Sequence, residues 1–282
     1  VELGLSEAAA VAEARRCLYC GTCCECLLCV AACKKNCIAH DDPGGELELE
    51  VGAVVLAPGF SLHDASLEGE YGYGHYPNVL TSIEFERLLS STGPTRGHIA
   101  RPSDGSRPRR IAFIKCVGSR DPACGAEYCS TICCMYSTKE AVIAREHDPE
   151  VEATIFYLDV RAQGKGFDRY VESAKSVHGV RYVRSMISSV KEDPVTRNLV
   201  IRYQHGGGLE EEEFDMVVLA VGVRPPRGAS ALAEALGFEL DRHGFARTDE
   251  IDPVRSTRPG VFVAGAFRGH QDIPDTIMTS SA

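Results

Sequence analysis

Cysteine constrains this chain most, through where it is absent. All thirteen cysteines of the 282-residue sequence fall in two short segments, Cys17–Cys37 and Cys116–Cys134, and none occurs from Asp42 to Lys115 or from Met135 to Ala282. A disulfide scaffold spreads its cysteines through a small, loop-rich chain. Here the cysteine-free stretches pattern like ordinary core, and 44% hydrophobic with 25% charged residues is a usual globular balance. Local metal ligation in a reducing compartment follows, with a cytoplasmic location expected. A net charge of −10 without a basic stripe argues against a nucleic-acid partner. No apolar run approaches the roughly 18 residues of a membrane span, and the start lacks the basic and apolar regions of a signal peptide. The sequence opens on Val1 and stops inside a helix-like stretch, Asp275 to Ala282, so a piece of a longer protein is expected.

The rest of the chain has room for one large or two medium domains. Five apolar runs are strand candidates: Val51–Ala57, Ile111–Cys116, Ala153–Val160, Met216–Val221 and Val261–Ala264. Four stop at or beside a glycine (Gly59, Gly118, Gly222, Gly265), and helical stretches separate them: Ser82–Ser90, Ser137–His147, Phe167–His178 and Ala229–Leu236. Short buried strands alternating with helices predict parallel sheets of α/β type. Arg181–Arg184 and Leu199–Gln204 read as an antiparallel excursion, and Glu210–Glu213 as a solvated loop or strand entry. Leu5–Arg16 favours helix and leads into the first cysteine group; Asp41–Gly45 is a linker signal.

The first group is Cys17, Cys20, Cys23, Cys24, Cys26, Cys29, Cys33 and Cys37. Cys23-x2-Cys26-x2-Cys29-x3-Cys33 has the bacterial ferredoxin spacing, in which three thiolates wrap one [4Fe–4S] cubane and the fourth reaches another. Cys17-x2-Cys20-x2-Cys23 is an overlapping register, so the spacing does not divide eight thiols between clusters. Leu27, Leu28, Val30, Ala31 and Ala32 are expected to form an apolar shell. Structural zinc needs only four ligands and leaves four thiols idle.

The second group, Cys116, Cys124, Cys129, Cys133 and Cys134, follows the strand candidate Ile111–Cys116. A dinucleotide-binding domain places its glycine-rich pyrophosphate turn there. This chain has Cys116-Val117-Gly118-Ser119 instead, with a helix following Cys133-Cys134 and Asp159 standing near the position of a ribose-binding acid. Cysteines in a nucleotide turn suit a cubane, whose four corners accommodate adjacent ligands; inert buried thiols are the alternative. Cys129 is expected one helical turn before Cys133, and Cys124 in a solvent-facing turn.

Phe113-Ile-Lys-Cys-Val-Gly-Ser-Arg-Asp121, Cys129-Ser-Thr-Ile-Cys133-Cys134-Met-Tyr-Ser-Thr-Lys139-Glu140-Ala141, Ile155 to Gly166, and Gly265-Ala266 with Asp272-Ile-Pro-Asp275 resemble the A subunit of heterodisulfide reductase. Glu13-Ala14-x-Arg16-Cys17-Leu18-x-Cys20-Gly21 resembles the cluster segment of the glutamate synthase small subunit. The resemblance implies a thioredoxin-reductase-like flavoprotein core of two nucleotide domains with a small N-terminal ferredoxin-like cysteine segment. Its implied division is 1–45 for that segment, 46–110 and 215–282 for parts of an FAD-binding domain, and 111–214 for a nucleotide-binding-like domain carrying another cluster. It implies Cys116, Cys129, Cys133 and Cys134 as unusual cluster ligands, with Cys124 as an extra. Cys17, Cys20, Cys23, Cys26, Cys29, Cys33 and Cys37 serve the first group, for two or three [4Fe–4S] clusters in all. Lys139 is implied near the flavin N5, Gly59 against FAD, Gly265 and Ala266 at the ribityl chain, and Ile273, Pro274 and Asp275 at a helix start facing the pyrimidine edge. No Gly-x-Gly-x-x-Gly is present, so FAD belongs to the full-length protein.

The implied activity is electron transfer between FAD and the clusters, extending to bifurcation between two acceptors. Implied partners are other heterodisulfide-reductase-type subunits and a ferredoxin, hydrogenase or dehydrogenase donor. An NAD(P)H-dependent flavoprotein like the glutamate synthase small subunit is one alternative. A non-catalytic scaffold stabilised by metal is the other.

Overall fold

The computed structural model describes residues 6–15 and 27–281, and the chain divides into two units, 1–52 and 53–282. In the first unit the Ala/Glu-rich run forms α1 (Glu7–Arg15), and α2 (Leu28–Ala32) follows Leu27, whose φ is 57°. α2 buries no residue, and Leu28 is 72% exposed. The expected apolar shell is therefore not closed by the described residues. A five-residue helix, about 7.5 Å long, has too little surface to cover itself.

The second unit runs β1 (Val54–Leu56), β2 (Ser61–Leu62), β3 (Val79–Thr81), α3 (Ser82–Leu89), β4 (Arg110–Val117), α4 (Cys133–His147), β5 (Glu152–Tyr157), α5 (Phe167–Ser176) and β6 (Arg181–Arg184). It continues with β7 (Ile187–Glu192), β8 (Leu199–His205), β9 (Gly208–Phe214), β10 (Met216–Val221), β11 (Val223–Arg224), α6 (Ala229–Leu236), β12 (Val261–Val263) and α7 (Ile273–Ser280). Five strands form one parallel sheet in the order β3-β10-β4-β5-β6. Alternation along β4 decides its packing. Ala112 and Ile114 join a core with Val190, Leu199, Ile201, Tyr203 and Phe214 of the antiparallel sheet β7-β8-β9. On the helix side, Phe113 packs edge-on against Phe85 of α3 at 5.5 Å. β10 is buried at all six positions, as a central strand covered on both faces must be.

Four expectations need correction. Arg181–Arg184 is the parallel edge strand of the large sheet, since it pairs with β5 and only β7 onward turns antiparallel. Glu210–Glu213 lies inside strand β9, where Arg202 opposite Glu211 bonds it at 2.8 Å and Arg110 and Arg181 hold Glu212. The 214/215 boundary cuts through a sheet, because β10 and β3 hydrogen-bond within the sheet of β4. β3 was invisible as a strand, being three residues long. α4 also begins at Cys133 itself rather than at Ser137.

A smaller parallel pair, β1 with β12, carries its own core with α6: Leu56, Ala229, Ala233, Phe238, Val261, Val263 and Phe267.

Candidate metal centre and cofactor edge

β4 carries one residue too many. Ile114 pairs with Leu219 and Val117 with Val221, so three steps on β4 oppose two on β10, a β-bulge at Lys115-Cys116. Cys116 takes up the mismatch with φ 65°, a left-handed conformation that costs a non-glycine residue about 1–2 kcal/mol. Strand alternation breaks there, which turns the thiol out of the sheet. Beyond the bulge the chain forms a closed hairpin: Arg120 N–H donates to the Tyr128 carbonyl at 2.8 Å, and Ser119 Oγ lies 3.0 Å from Ser130 Oγ. Ser130 Oγ in turn accepts the Val223 N–H at 2.8 Å, tying the hairpin to β11.

Three thiols gather around this turn, linked through Cys133. The Cys133 thiol is in hydrogen-bond contact with both Cys116 and Cys134. That contact lowers Cys134 to about 5, helped by the charge of Lys115 and the Arg161 N–H, which lies 3.4 Å from Cys134 Sγ. It also lowers Cys116 to about 7 against the effect of burial, while Cys133, which donates, is pushed well up. Cys129 Sγ accepts the Thr131 N–H at 3.4 Å and, with Cys116, faces the Arg120 guanidinium. Cys129 is not one helical turn before Cys133, because Thr131 at φ 66° breaks the path before α4 begins.

A cubane held by four thiolates is an anion, and the walls here fit one. Cys133 and Cys134 are buried, and so is Lys115, whose ammonium faces the Cys134 thiol and lies 5.5 Å from the Tyr157 ring centroid. Asp159, near the ribose position, is taken instead by Arg120 at 2.7 Å and by Arg161 at 3.6 Å. Lys115 and Arg120 were missed from the sequence; a charged residue inside the apolar run Ile111–Val117 was the available signal.

Cys124 points elsewhere. Its thiol donates to Glu68 at 2.9 Å, which pushes it up to about 12. His63, Glu68 and Cys124 place their donor atoms within 4.8 Å of one another, a spacing that a metal accepts. Arg224 Nη2, which can only donate, lies 2.9 Å from His63 Nδ1. The proton therefore sits on Nε2 and is given to Glu68 at 2.8 Å, leaving a satisfied hydrogen-bond set.

The residues expected to face a flavin, Lys139 apart, gather at one sheet edge. β1 and β12 are parallel, so their C-terminal ends lie side by side, joined by the Ala264 N–H on the Leu56 carbonyl at 2.9 Å. Gly59 (φ 75°) and Gly265 (φ 69°) follow those ends, and a Cβ at Gly59 would meet no atom within 4 Å. Ala266 lies in the short turn after Gly265, and Asp272 caps α7 by accepting the Asp275 N–H at 2.8 Å. Ile273 and Pro274 open that helix, with Ile273 exposed. Open space at the carboxyl ends of parallel strands is where α/β sheets bind ligands. Lys139 stands apart from the thiols; its ammonium bonds Glu86 of α3 at 2.8 Å.

In the first unit, Cys33 and Cys37 place their sulfurs 3.4 Å apart, and Cys29 Sγ lies 3.7 Å from His40 Nε2. Cys17, Cys20, Cys23 and Cys26 lie outside the described residues.

A family model described as pyridine nucleotide-disulphide oxidoreductase matches residues 24–282. The chain belongs to that family. Among curated relatives of this pyridine nucleotide-disulphide oxidoreductase chain is the iron-sulfur A subunit of CoB–CoM heterodisulfide reductase from Methanocaldococcus jannaschii, 42% identical over 90% of this chain and 39% of that protein. An A subunit of the same reductase from Methanopyrus kandleri, the second of its kind there, is 45% identical over 84% of this chain and 37% of that protein. The chain thus spans about two-fifths of the curated relatives it matches. Among solved structures, the thioredoxin reductase of T. acidophilum superposes with a TM-score of 0.51 at 16% identity, covering 80% of this chain and 62% of that one. The thioredoxin reductase of Lactococcus lactis does so at 0.51 and 17%, covering 81% and 62%. The fold is the thioredoxin-reductase type, as expected. No helix among the described residues is long and apolar enough to cross a membrane.

Proposed function

We propose that this chain is the flavin and iron–sulfur core of a heterodisulfide-reductase-A-type protein, an electron-transfer oxidoreductase working in the cytoplasm with partner subunits. The observation that carries the reading is the gathering of Cys116, Cys133 and Cys134 at a nucleotide-type turn, beside the buried Lys115 ammonium. Cys129, facing the same guanidinium as Cys116, is the fourth ligand. Cys29, Cys33 and Cys37, with Cys17, Cys20, Cys23 and Cys26, hold the N-terminal cluster or clusters. Bound at these sites, the clusters carry single electrons, and FAD in the full-length protein exchanges them in pairs.

The chain's own residues hold, orient and shield. The strained Cys116 and the hairpin closed by Ser119 and Ser130 fix the thiols in advance, and the Arg161 N–H orients Cys134. Gly59, Gly265, Ala266 and the opening turn of α7 at Ile273, Pro274 and Asp275 form the flavin edge. Lys139 is the charged group for the flavin, paired with Glu86 until it is engaged. Proposed partners are related subunits with a ferredoxin, hydrogenase or dehydrogenase donor, and bifurcation belongs to the same reading. A nicotinamide site at the cysteine turn is disfavoured, because Arg120 already occupies Asp159.

The test is the metal content of full-length protein purified or reconstituted without oxygen. Iron and sulfide for at least two cubanes, with an EPR signal after reduction, are expected. Stoichiometric zinc without absorbance near about 400 nm overturns the reading.

A further inference from the structure

We infer that Lys115 sets the reduction potential of the cluster held by Cys116, Cys129, Cys133 and Cys134, through a buried positive charge that faces a ligand thiol and has no carboxylate partner. The inference rests on the cluster assignment proposed above.

Among the described residues, Arg120, Arg161 and Lys139 are other cationic groups near the centre and the first half of its helix, and each has an anionic partner. Arg120 is held by Asp159 at 2.7 Å, Arg161 lies 3.6 Å from the same carboxylate, and Lys139 pairs with Glu86 at 2.8 Å. The side chains of these three are 25–44% exposed, so solvent screens what charge their partners leave. Lys115 differs on both counts. It is 7% exposed, it forms no ion pair with a carboxylate among the described residues, and its ammonium faces the Cys134 thiol. The Tyr157 ring 5.5 Å away supplies only a weak cation–π contact. A buried ammonium left unpaired is costly unless an anion stands close to it.

The bulge explains how the lysine reaches this place. An extra residue in β4 sets Lys115 and Cys116 together at the turn, so one backbone irregularity delivers both a ligand and its nearby charge. The lysine also borders the Cys134 thiol, a second of the proposed ligands.

Reduction adds one electron and makes the cluster more negative. A fixed positive charge in a low-dielectric wall stabilises the reduced form more than the oxidised one and raises the potential. Removing it makes the cluster harder to reduce.

The experiment is an EPR-monitored redox titration of the full-length holoprotein as wild type, Lys115→Met, Lys115→Gln and Lys115→Arg, with iron and sulfide measured in each. The signal that disappears in Cys134→Ser defines the second cluster. If no signal disappears there, the ligand assignment fails, whatever the lysine does. With the signal defined, both neutral variants are expected to keep the cluster and to change its oxidised-to-reduced ratio at a fixed potential at least tenfold towards oxidised. Tenfold is 59 mV for one electron. Lys115→Arg is expected to stay near wild type. Unchanged midpoints in Met and Gln overturn the inference while leaving the cluster assignment intact. Loss of the second cluster in both neutral variants overturns it too, since the lysine would then serve assembly rather than potential.

Discussion

Gly222 offers a direct test of how the cysteine turn is built. The residue joins β10 to β11, and a Cβ placed on it would lie 2.5 Å from the Gly118 carbonyl oxygen and 3.1 Å from Ser119 Cβ. Neither obstacle is the end of a flexible side chain. Gly222 cannot retreat, because its N–H donates to the Val117 carbonyl at 2.7 Å and its carbonyl accepts the His63 N–H at 2.8 Å. Gly222→Ala must therefore push the 118–119 backbone back by about 0.5 Å or more, an overpacking cost of about 1–3 kcal/mol. For a unit of this size, about 2 kcal/mol lowers Tm by roughly 6 °C. The displaced segment also carries Cys116 two residues upstream, so the second cluster should assemble with lower occupancy. Gly208→Ala is the control: its Cβ meets nothing within 4 Å, and its Tm should stay within about 1 °C of wild type. Thermal unfolding at a fixed scan rate, with iron measured on the same samples, reads both effects. Equal Tm values for wild type, Gly208→Ala and Gly222→Ala would refute the close approach.

Three further outcomes are expected. Single Cys→Ser changes at 116, 129, 133 and 134 should each abolish or convert the EPR signal of the second cluster, while Cys124→Ser, whose thiol is bound to Glu68, should leave it unchanged. Lys139→Ala removes a half-exposed ion pair worth less than about 1 kcal/mol, so Tm and iron content should hold while the flavin reduction rate of the full-length protein changes. Glu140 is 2% exposed beside Glu86, Lys139 and Ser82, and burial pushes its carboxyl well up, so the folded state keeps a proton that the unfolded state loses above about pH 4.3. Stability from this group therefore falls as pH rises through that range, and Glu140→Gln should flatten the decline and raise Tm at pH 8, measured by pH-dependent thermal melts.

The elements legible in sequence were those whose cause is local. Met216–Val221 reads as a buried strand because all six residues are apolar, and Ala229–Leu236 as a helix because Gly228 and Gly237 bracket a strong helix former. The two cysteine groups were visible as spacing. What escaped depended on distant partners. Arg181–Arg184 alternates like an antiparallel strand, and only its pairing with β5 makes it parallel. Nothing in three residues marks β3, which exists because β10 offers it an edge. The bulge at Lys115-Cys116 is a mismatch between two strands a hundred residues apart, so the break in strand alternation there could not be read from either strand alone.

The strained hairpin after β4 has a consequence for the order of assembly. Its turn is closed by backbone and serine hydrogen bonds above a sheet with a full core, so the second unit has its shape without a cluster. The N-terminal unit is the reverse: none of its described side chains is buried, so a cluster bound there, as proposed, would have to contribute to its fold. Iron starvation would then loosen this unit and leave the other folded. The N-terminal segment would become protease bait, while the rest of the chain waits intact and ready to be reloaded.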